Sequence, residues 1–484
     1  MHRLARPRKL RQLASACTVA VALAVPVLAQ VNLPVLGDSV SGTVSSQDEY
    51  DFGREFLRSV RKQTPVLDDP LILEYVSTLT YKLAANSELT DHRLEFVLID
   101  SDVLNAFAAP GGIIGVNAGL FLNARNEGQF ASVLAHELAH ISQRHYARSV
   151  EQSRNSTLPN IAGLLAGLAI AAAAGGEAGQ AALMVNQARS LDNQLRFSRS
   201  HEQEADRIGI RTLYNAGFDP EDMAGMFEGM LRSRNFSQKL PEFMSTHPLD
   251  ENRVADSRNR ALGYPAVNHV PNPEFLLMRE RVIMHYSKSL DADIADRERA
   301  LPQLNGAEAD AARYGLALAK AKQGRHVEAS ELVESLLRQD RSRISYIVLD
   351  AEVAMAAGDH ARAISILEPA LALNPDNHAL TITYANALTL AKRHAEAVGV
   401  LQKHAANRPN DEQVWYDLAE LAGLAGNITL VHEARAEYFI CVGEFARAKD
   451  HLNFALQQEA DRLTAARLRS RLEYIRDIEN TFYR

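Results

Sequence analysis

The spacing of hydrophobic positions changes repeatedly along this chain, and each change marks an element. Five basic residues (Arg3, Arg6, Arg8, Lys9, Arg11) precede an apolar run from Leu13 to Leu28. From Asp48 to about Ala85 the spacing is helical. Tyr50, Phe52, Phe56 and Val60 share one face. Leu71, Ile72, Tyr75, Val76, Leu79 and Leu83 share another, so two helices are expected. Pro70 falls near the start of the second, where proline is tolerated. Leu94, Phe96 and Leu98 then alternate with Arg93, Glu95 and Val97, which reads as a strand from His92 to Ile99. Asn105-Ala-Phe-Ala-Ala-Pro110-Gly111-Gly112 breaks it. Ile113 to Asn117 reads as a second strand, giving a small sheet. Phe130, Val133, Leu134, Leu138 and Ile141 return to helical spacing, and Asn126 with Gln129 reads as a capping box. Residues 161–174 are continuously apolar but too few to span a bilayer comfortably. They read as a buried core helix or a flap over the site, with peripheral membrane contact as the alternative.

The second half repeats. Gly324, Gly358 and Gly426 are separated by 34 and 68 residues, with Lys392 at the missing step. Ala329, Ala363 and Ala397 keep the same interval, as do Pro375 and Pro409. Leu316, Asp350, Tyr384 and Leu418 occupy one phase. A 34-residue period with small residues at helix contacts is the tetratricopeptide signature. The glycines fall at the turn within each hairpin and the prolines between hairpins. Gly443 and Ala448 mark one further, irregular hairpin, and Leu463 to Ile478 reads as a capping helix. Residues 262–306, with Pro265, Pro271, Pro273 and a helical stretch from Glu274, read as the connection.

Composition changes the picture mainly at the N-terminus. The chain of 484 residues is 46% apolar and 23% charged, as expected of soluble globular protein with two or three domains. The basic stretch, the apolar run and Val27-Leu28-Ala29 read together as a secretory signal cleaved after Ala29; a retained anchor is the other reading. Cleavage removes five positive charges and no acids, taking the net charge from −8 to −13. That balance argues against nucleic acid as a partner. Only Cys441 then remains, so stability in an oxidising compartment rests on packing. The expected location is the bacterial periplasm.

The candidate chemistry lies in Ala131-Ser-Val-Leu-Ala-His136-Glu137-Leu-Ala-His140. On a helix, His136 and His140 project from one face and are spaced to hold one Zn²⁺. Glu137 sits where it can take a proton from water activated there. Downstream, Phe197-Ser-Arg-Ser-His201-Glu202-Gln-Glu204-Ala-Asp206 places Glu202 and Asp206 one turn apart, with Glu204 pointing away from both. Glu202 would complete a His₂Glu set with an open fourth position, and Asp206 would orient a ligand imidazole. His145 is off the ligand face and reads as structural or solvated.

These motifs, with Ser245-Thr246-His247-Pro248, Arg253 and Asn105-Ala-Phe-Ala-x-Pro-Gly-Gly, resemble the M48 family of zinc metallopeptidases. The resemblance covers about residues 45–260. It implies His136, His140 and Glu202 as ligands of one Zn²⁺ per chain and Glu137 as catalytic base. His247 has two candidate roles, hydrogen-bonding the oxyanion or filling the fourth zinc position at rest. The expected fold is mainly α: an α+β zincin-like metalloprotease domain with a small sheet, then an α-solenoid of tetratricopeptide repeats. The boundaries are 1–29 for the signal, 30–262 for the protease, 263–306 for the connection and 307–484 for the repeats. The combination resembles the periplasmic β-barrel assembly-enhancing protease family. It implies a metalloendopeptidase acting on unfolded or misassembled outer-membrane proteins, with the repeats recruiting substrate or the β-barrel assembly machinery. A chaperone or scaffold with a largely latched protease site is the alternative.

Overall fold

The computed structural model describes residues 44–152, 199–236, 243–267, 272–458 and 461–482. The expected signal segment 1–29 and the apolar run 161–174 lie outside the described residues. Among those described, no helix is long and apolar enough to cross a membrane.

Both early helices form. Helix α1 (Ser46–Gln63) starts at a reciprocal box in which the Ser45 hydroxyl accepts from the Asp48 backbone N–H and Asp48 accepts from that of Ser45. Helix α2 (Pro70–Ala84) is capped by Asp69, whose Oδ1 accepts from the N–H groups of Leu71 and Ile72 at 3.1 Å each. The sheet has strands β1 (Glu95–Ile99), β2 (Ala106–Ala109) and β3 (Ile113–Asn117) in the order β1-β3-β2. β1 runs parallel to β3 and β2 antiparallel to it. The stretch expected as a break is therefore a strand followed by a turn. Only Pro110-Gly111-Gly112 interrupts, with φ of +71° and +78° at the glycines. The alanines before it have weak strand preference, but pairing with β3, buried along its whole length, draws them into the sheet.

After α3 (Gly119–Asn123) comes α4 (Glu127–Ser142), in which every residue from Glu127 to His140 is buried. The Asn126 side chain caps it by accepting from Gln129 N–H at 2.8 Å. The return half of the expected box is shifted by one residue, because Gln129 Oε1 accepts from Arg125 N–H at 3.1 Å. Then follow α5 (His145–Gln152), α6 (Arg199–Asn215), α7 (Glu221–Phe236), α8 (Phe243–Thr246) and α9 (Glu251–Ala261).

The connecting region is two packed helices, α10 (Pro273–His285) and α11 (Leu290–Ala300). Phe275 on α10 enters the protease core, with its ring 6.1 Å from Phe121 and 5.7 Å from Phe130 of α4. Arg281 Nε reaches Asp69 Oδ2 at 2.6 Å, while its Nη atoms form a two-point contact with Glu352 in the repeats. One apolar cluster runs without interruption from Leu67 to Ala434 across the protease core and the repeats.

The repeats are antiparallel helices: α12 (Gly306–Lys322), α13 (His326–Leu337), α14 (Ile344–Ala356), α15 (His360–Leu373), α16 (His378–Leu390), α17 (His394–Asn407), α18 (Glu412–Leu424), α19 (Ile428–Cys441), α20 (Phe445–Gln458) and the terminal α21 (Arg462–Phe482). Ala329, Ala363 and Ala397 are all fully buried, as their period requires, and so is Ala448 of the irregular hairpin. The turn glycines 324, 358, 426 and 443 have φ between +72° and +80°, and Lys392 takes the same left-handed conformation at +61°. α1 meets the repeats through Arg61, whose Nε is 2.8 Å from Glu412 Oε2. Between the two lies a cavity of about 720 Å³ whose lining includes Asp68, Glu95, Asp411 and Asp417.

Candidate metal centre

Helices α4 and α6 cross at close range because the contact is made by small residues. Ala139 and Ala205 are buried against each other with Ile208. A Cβ on Gly209 would stand 2.9 Å from Met223 Cε and 3.2 Å from the His136 backbone nitrogen. This approach brings Glu202 onto the face of α4 that carries His136 and His140. The short helix α8 then delivers His247 to the same point.

The resulting donor set is compact and buried. His136 is 0% exposed, Glu202 2%, His247 3% and His140 6%. His136 Nε2 lies 3.0 Å from His140 Nε2, 3.4 Å from Glu202 Oε2 and 3.4 Å from His247 Nδ1. His140 Nε2 is 3.5 Å from Glu202 Oε1, and His247 Nδ1 is 3.1 Å from that oxygen. A tetrahedral ion with bonds of about 2.0–2.1 Å separates its ligand atoms by about 3.3 Å. The spacing and the mix of imidazole and carboxylate donors therefore fit a zinc-like cation. Glu137 adds a second sign of a reactive site. Its side chain is 1% exposed, and Oε1 has no hydrogen-bond partner among the described residues. That oxygen is 3.4 Å from His247 Nε2.

Charge around the set is balanced by an arginine. Arg253, on α9, places Nε 2.8 Å from Asp206 Oδ2 and Nη2 2.7 Å from Oδ1, and its Nη1 is 2.9 Å from Glu202 Oε2. Asp206 Oδ1 in turn lies 3.0 Å from His136 Nδ1. Burial opposes ionisation of Glu202, yet the His247, His136 and His140 imidazoles hold its carboxyl well below the usual range. Burial also opposes ionisation of Asp206, and Arg253 more than offsets it. For Glu137 burial prevails and its carboxyl is raised, although His247 and His136 oppose this and the Ala108 backbone hydrogen bond stabilises the anion. That bond joins Glu137 to β2, one of the two outer strands of the sheet.

Residues 71–261 match the model of peptidase family M48, and residues 354–421 match a tetratricopeptide repeat model. The chain is 30% identical over 451 residues to the beta-barrel assembly-enhancing protease of Escherichia coli (strain K12), covering 93% of this chain and 92% of that protein. The chain belongs to peptidase family M48. It is also 35% identical over 336 residues to a putative beta-barrel assembly-enhancing protease of Vibrio cholerae, covering 68% and 69% of the two chains. A shorter match, 32% over 180 residues, is to the mitochondrial metalloendopeptidase OMA1 of Schizosaccharomyces pombe, covering 37% and 50%. Membership makes the chain a metalloendopeptidase, and family and donor set together suggest a metal, typically zinc.

In this M48 peptidase the fold brings together all six residues singled out from sequence: His136, Glu137, His140, Glu202, Asp206 and His247. Two residues take places that sequence spacing did not indicate. Of the two readings of His145, structural or solvated, the structural one holds: it is fully buried, with Nδ1 2.9 Å from His140 Nδ1. Arg144, at φ +49°, reverses the chain after α4, so extrapolating the helix to residue 145 fails. Arg253 was visible only as part of a family pattern. A lone arginine some 50 residues from its partners has no local signal. Glu204 does point away from Glu202 and Asp206, and it meets His145 and Arg148. Its carboxyl is held down at about 2, chiefly by the His145 hydrogen bond and then by Arg148, against some desolvation.

Proposed function

We propose that this chain is a periplasmic zinc metalloendopeptidase that degrades misfolded or stalled outer-membrane β-barrel proteins and assists their assembly. The observation carrying this reading is the convergence of His136, His140, Glu202 and His247 on one point, with the buried Glu137 carboxylate 3.4 Å from His247. The names of the relatives support the substrate class, and the repeats supply a surface for recruiting substrate or the assembly machinery.

His136, His140 and Glu202 would hold the metal, with Asp206 fixing His136 from behind. When bound, zinc supplies a Lewis acid for the scissile carbonyl and for the attacking water. Glu137 takes the proton from that water and passes it to the leaving amine. The Ala108 backbone beside Glu137 lies on β2, an outer strand of the sheet among the described residues, along which an extended substrate would bring its scissile bond to Glu137. His247 closes the site at rest by occupying the fourth donor position. Its side chain must swing away before substrate enters.

The test is cleavage of an unfolded β-barrel protein by the purified mature chain, with zinc content measured on the same samples. Glu137→Gln is expected to keep about one zinc per chain and to lose cleavage by about 10²–10⁴-fold. His247→Ala is expected to cleave faster than wild type. A loss of cleavage in His247→Ala would instead assign His247 to oxyanion binding, and zinc-free wild type would overturn the metal site. The chaperone or scaffold reading draws on the same closure of the site by His247. Rescue of barrel assembly in cells by Glu137→Gln would favour it.

A further inference from the structure

The two helix histidines are supported differently. His136 turns Nδ1 to a carboxylate, Asp206, at 3.0 Å. His140 turns Nδ1 to another imidazole, His145, at 2.9 Å. The chain of contacts continues outward. His145 Nε2 is 3.3 Å from Glu204 Oε2, and Arg148 Nη1 is 2.9 Å from the same oxygen. The His201 ring stacks on His145 with centroids 4.4 Å apart and planes 12° from parallel.

Proton positions follow from the chemistry of the ends. His140 Nε2 is the atom turned into the donor cluster, so it carries no proton when it binds a cation. Its Nδ1 then carries the proton and donates to His145 Nδ1. His145 must hold its own proton on Nε2, which donates to Glu204. Arg148 fixes the carboxylate, and the His201 stack fixes the plane of the ring. The backbone makes this possible, because the left-handed Arg144 folds α5 back so that His145 lies beside His140. Arg144 is itself held, with Nε 2.7 Å from Glu49 Oε2 on α1.

We propose that His145 is a positioning residue of the metal centre, setting the tautomer and ring orientation of His140, with Glu204 and Arg148 setting its own. The proposal rests on the reading of His140 as a zinc ligand. Outer partners of ligand imidazoles commonly change metal affinity by about 10–100-fold when lost. An imidazole used in place of a carboxylate orients His140 without placing a further negative charge against it.

The experiment is zinc affinity of the mature full-length chain by competition with a chromophoric chelator, with the visible spectrum of the cobalt-loaded protein as a second readout. His145→Phe keeps a ring for the His201 stack but offers no acceptor, and is expected to weaken zinc binding by about 10–100-fold. His145→Asn offers an oxygen to the His140 proton and is expected to recover most of the affinity and the wild-type cobalt spectrum. Glu204→Ala leaves His145 in place but frees its tautomer, and is expected to weaken zinc by several-fold. Melting of the chelator-stripped proteins separates this from a folding defect, since the Asn variant is expected to melt near wild type and the affinities are measured below the transition of each variant. Wild-type affinity in His145→Phe or Glu204→Ala, or equal loss in the Phe and Asn variants, would overturn the proposal. His140→Ala with undiminished zinc would overturn the ligand reading itself.

Discussion

The repeat array and the metal centre are built from the same element, the α-helix, by opposite rules. In the repeats each helix packs mainly on its neighbours in sequence, and the same positions recur every 34 residues: a buried alanine, a left-handed turn, a buried residue in the Leu316, Asp350, Tyr384, Leu418 phase. In the metal centre nothing recurs. Residues 136, 202, 206, 247 and 253 come from four separate elements, and their polar atoms are almost fully shielded from water. A fault in a repeat should therefore stay local and small. A fault in the centre should leave a buried charge without a partner and be large.

The sharpest way to break that comparison is Arg253→Met. It strips the counter-ion from Asp206 and Glu202 at once, both 2% exposed. Removing one partner of a buried ion pair costs about 3–5 kcal/mol. Denaturant unfolding of the metal-free chain should show a loss of that size. A loss below about 1 kcal/mol, as for an exposed pair, would mean the centre is far wetter than its burial indicates.

A smaller effect is expected where the repeats face α1, α2 and β1. In the cavity between them Asp417 is raised to about 7, by burial and then by Asp68, with Gln413 opposing. Asp68 is raised to about 6, by burial and then by Asp69 and Asp411. An unfolded aspartate releases its proton near 3.9. Between about pH 4 and 7 the folded chain thus holds a proton that the unfolded chain has lost, and stability falls as pH rises through that window. Asp417→Asn should flatten this fall and raise the melting temperature at pH 7. Melting curves from pH 4 to 8 with the wild-type slope would show that the cavity exerts no such strain.

The smallest effect belongs to the repeats. Lys392 holds the left-handed conformation that glycine holds at the equivalent turns. A side chain there costs about 1–2 kcal/mol, partly recovered because glycine orders a freer chain. Lys392→Gly should stabilise by up to about 1 kcal/mol in denaturant titration. A destabilised variant would mean that the lysine side chain contributes packing its backbone conformation does not reveal.

The same contrast explains which features could be read early. The Gly324, Gly358 and Gly426 interval located the turns because a turn is a local demand on φ. Lys392 shows that the demand persists where the residue type does not. The H-E-x-x-H spacing located His136 and His140 because four residues make one helical turn. Strand β2 was missed because alanines carry little strand preference of their own; pairing with β3 decides it. That His145 is structural was legible, but its place behind His140 was not, because the left-handed Arg144 follows the end of the helix on which its direction depended.

By itself the sequence determined the helical period of the array, the helix that carries two imidazoles, the carboxylates one turn apart and the composition of each core. These follow from residue type and local spacing. Tertiary structure alone decided that Arg253 neutralises Asp206 and Glu202, that His247 joins the donor set, that His145 stands behind His140 and that the connecting helix plants Phe275 in the protease core. The His145 contact spans five residues and turns on the left-handed Arg144. The others depend on residues tens of positions apart being held within about 3–6 Å, and at the metal centre the small residues Ala139, Ala205 and Gly209 allow that approach.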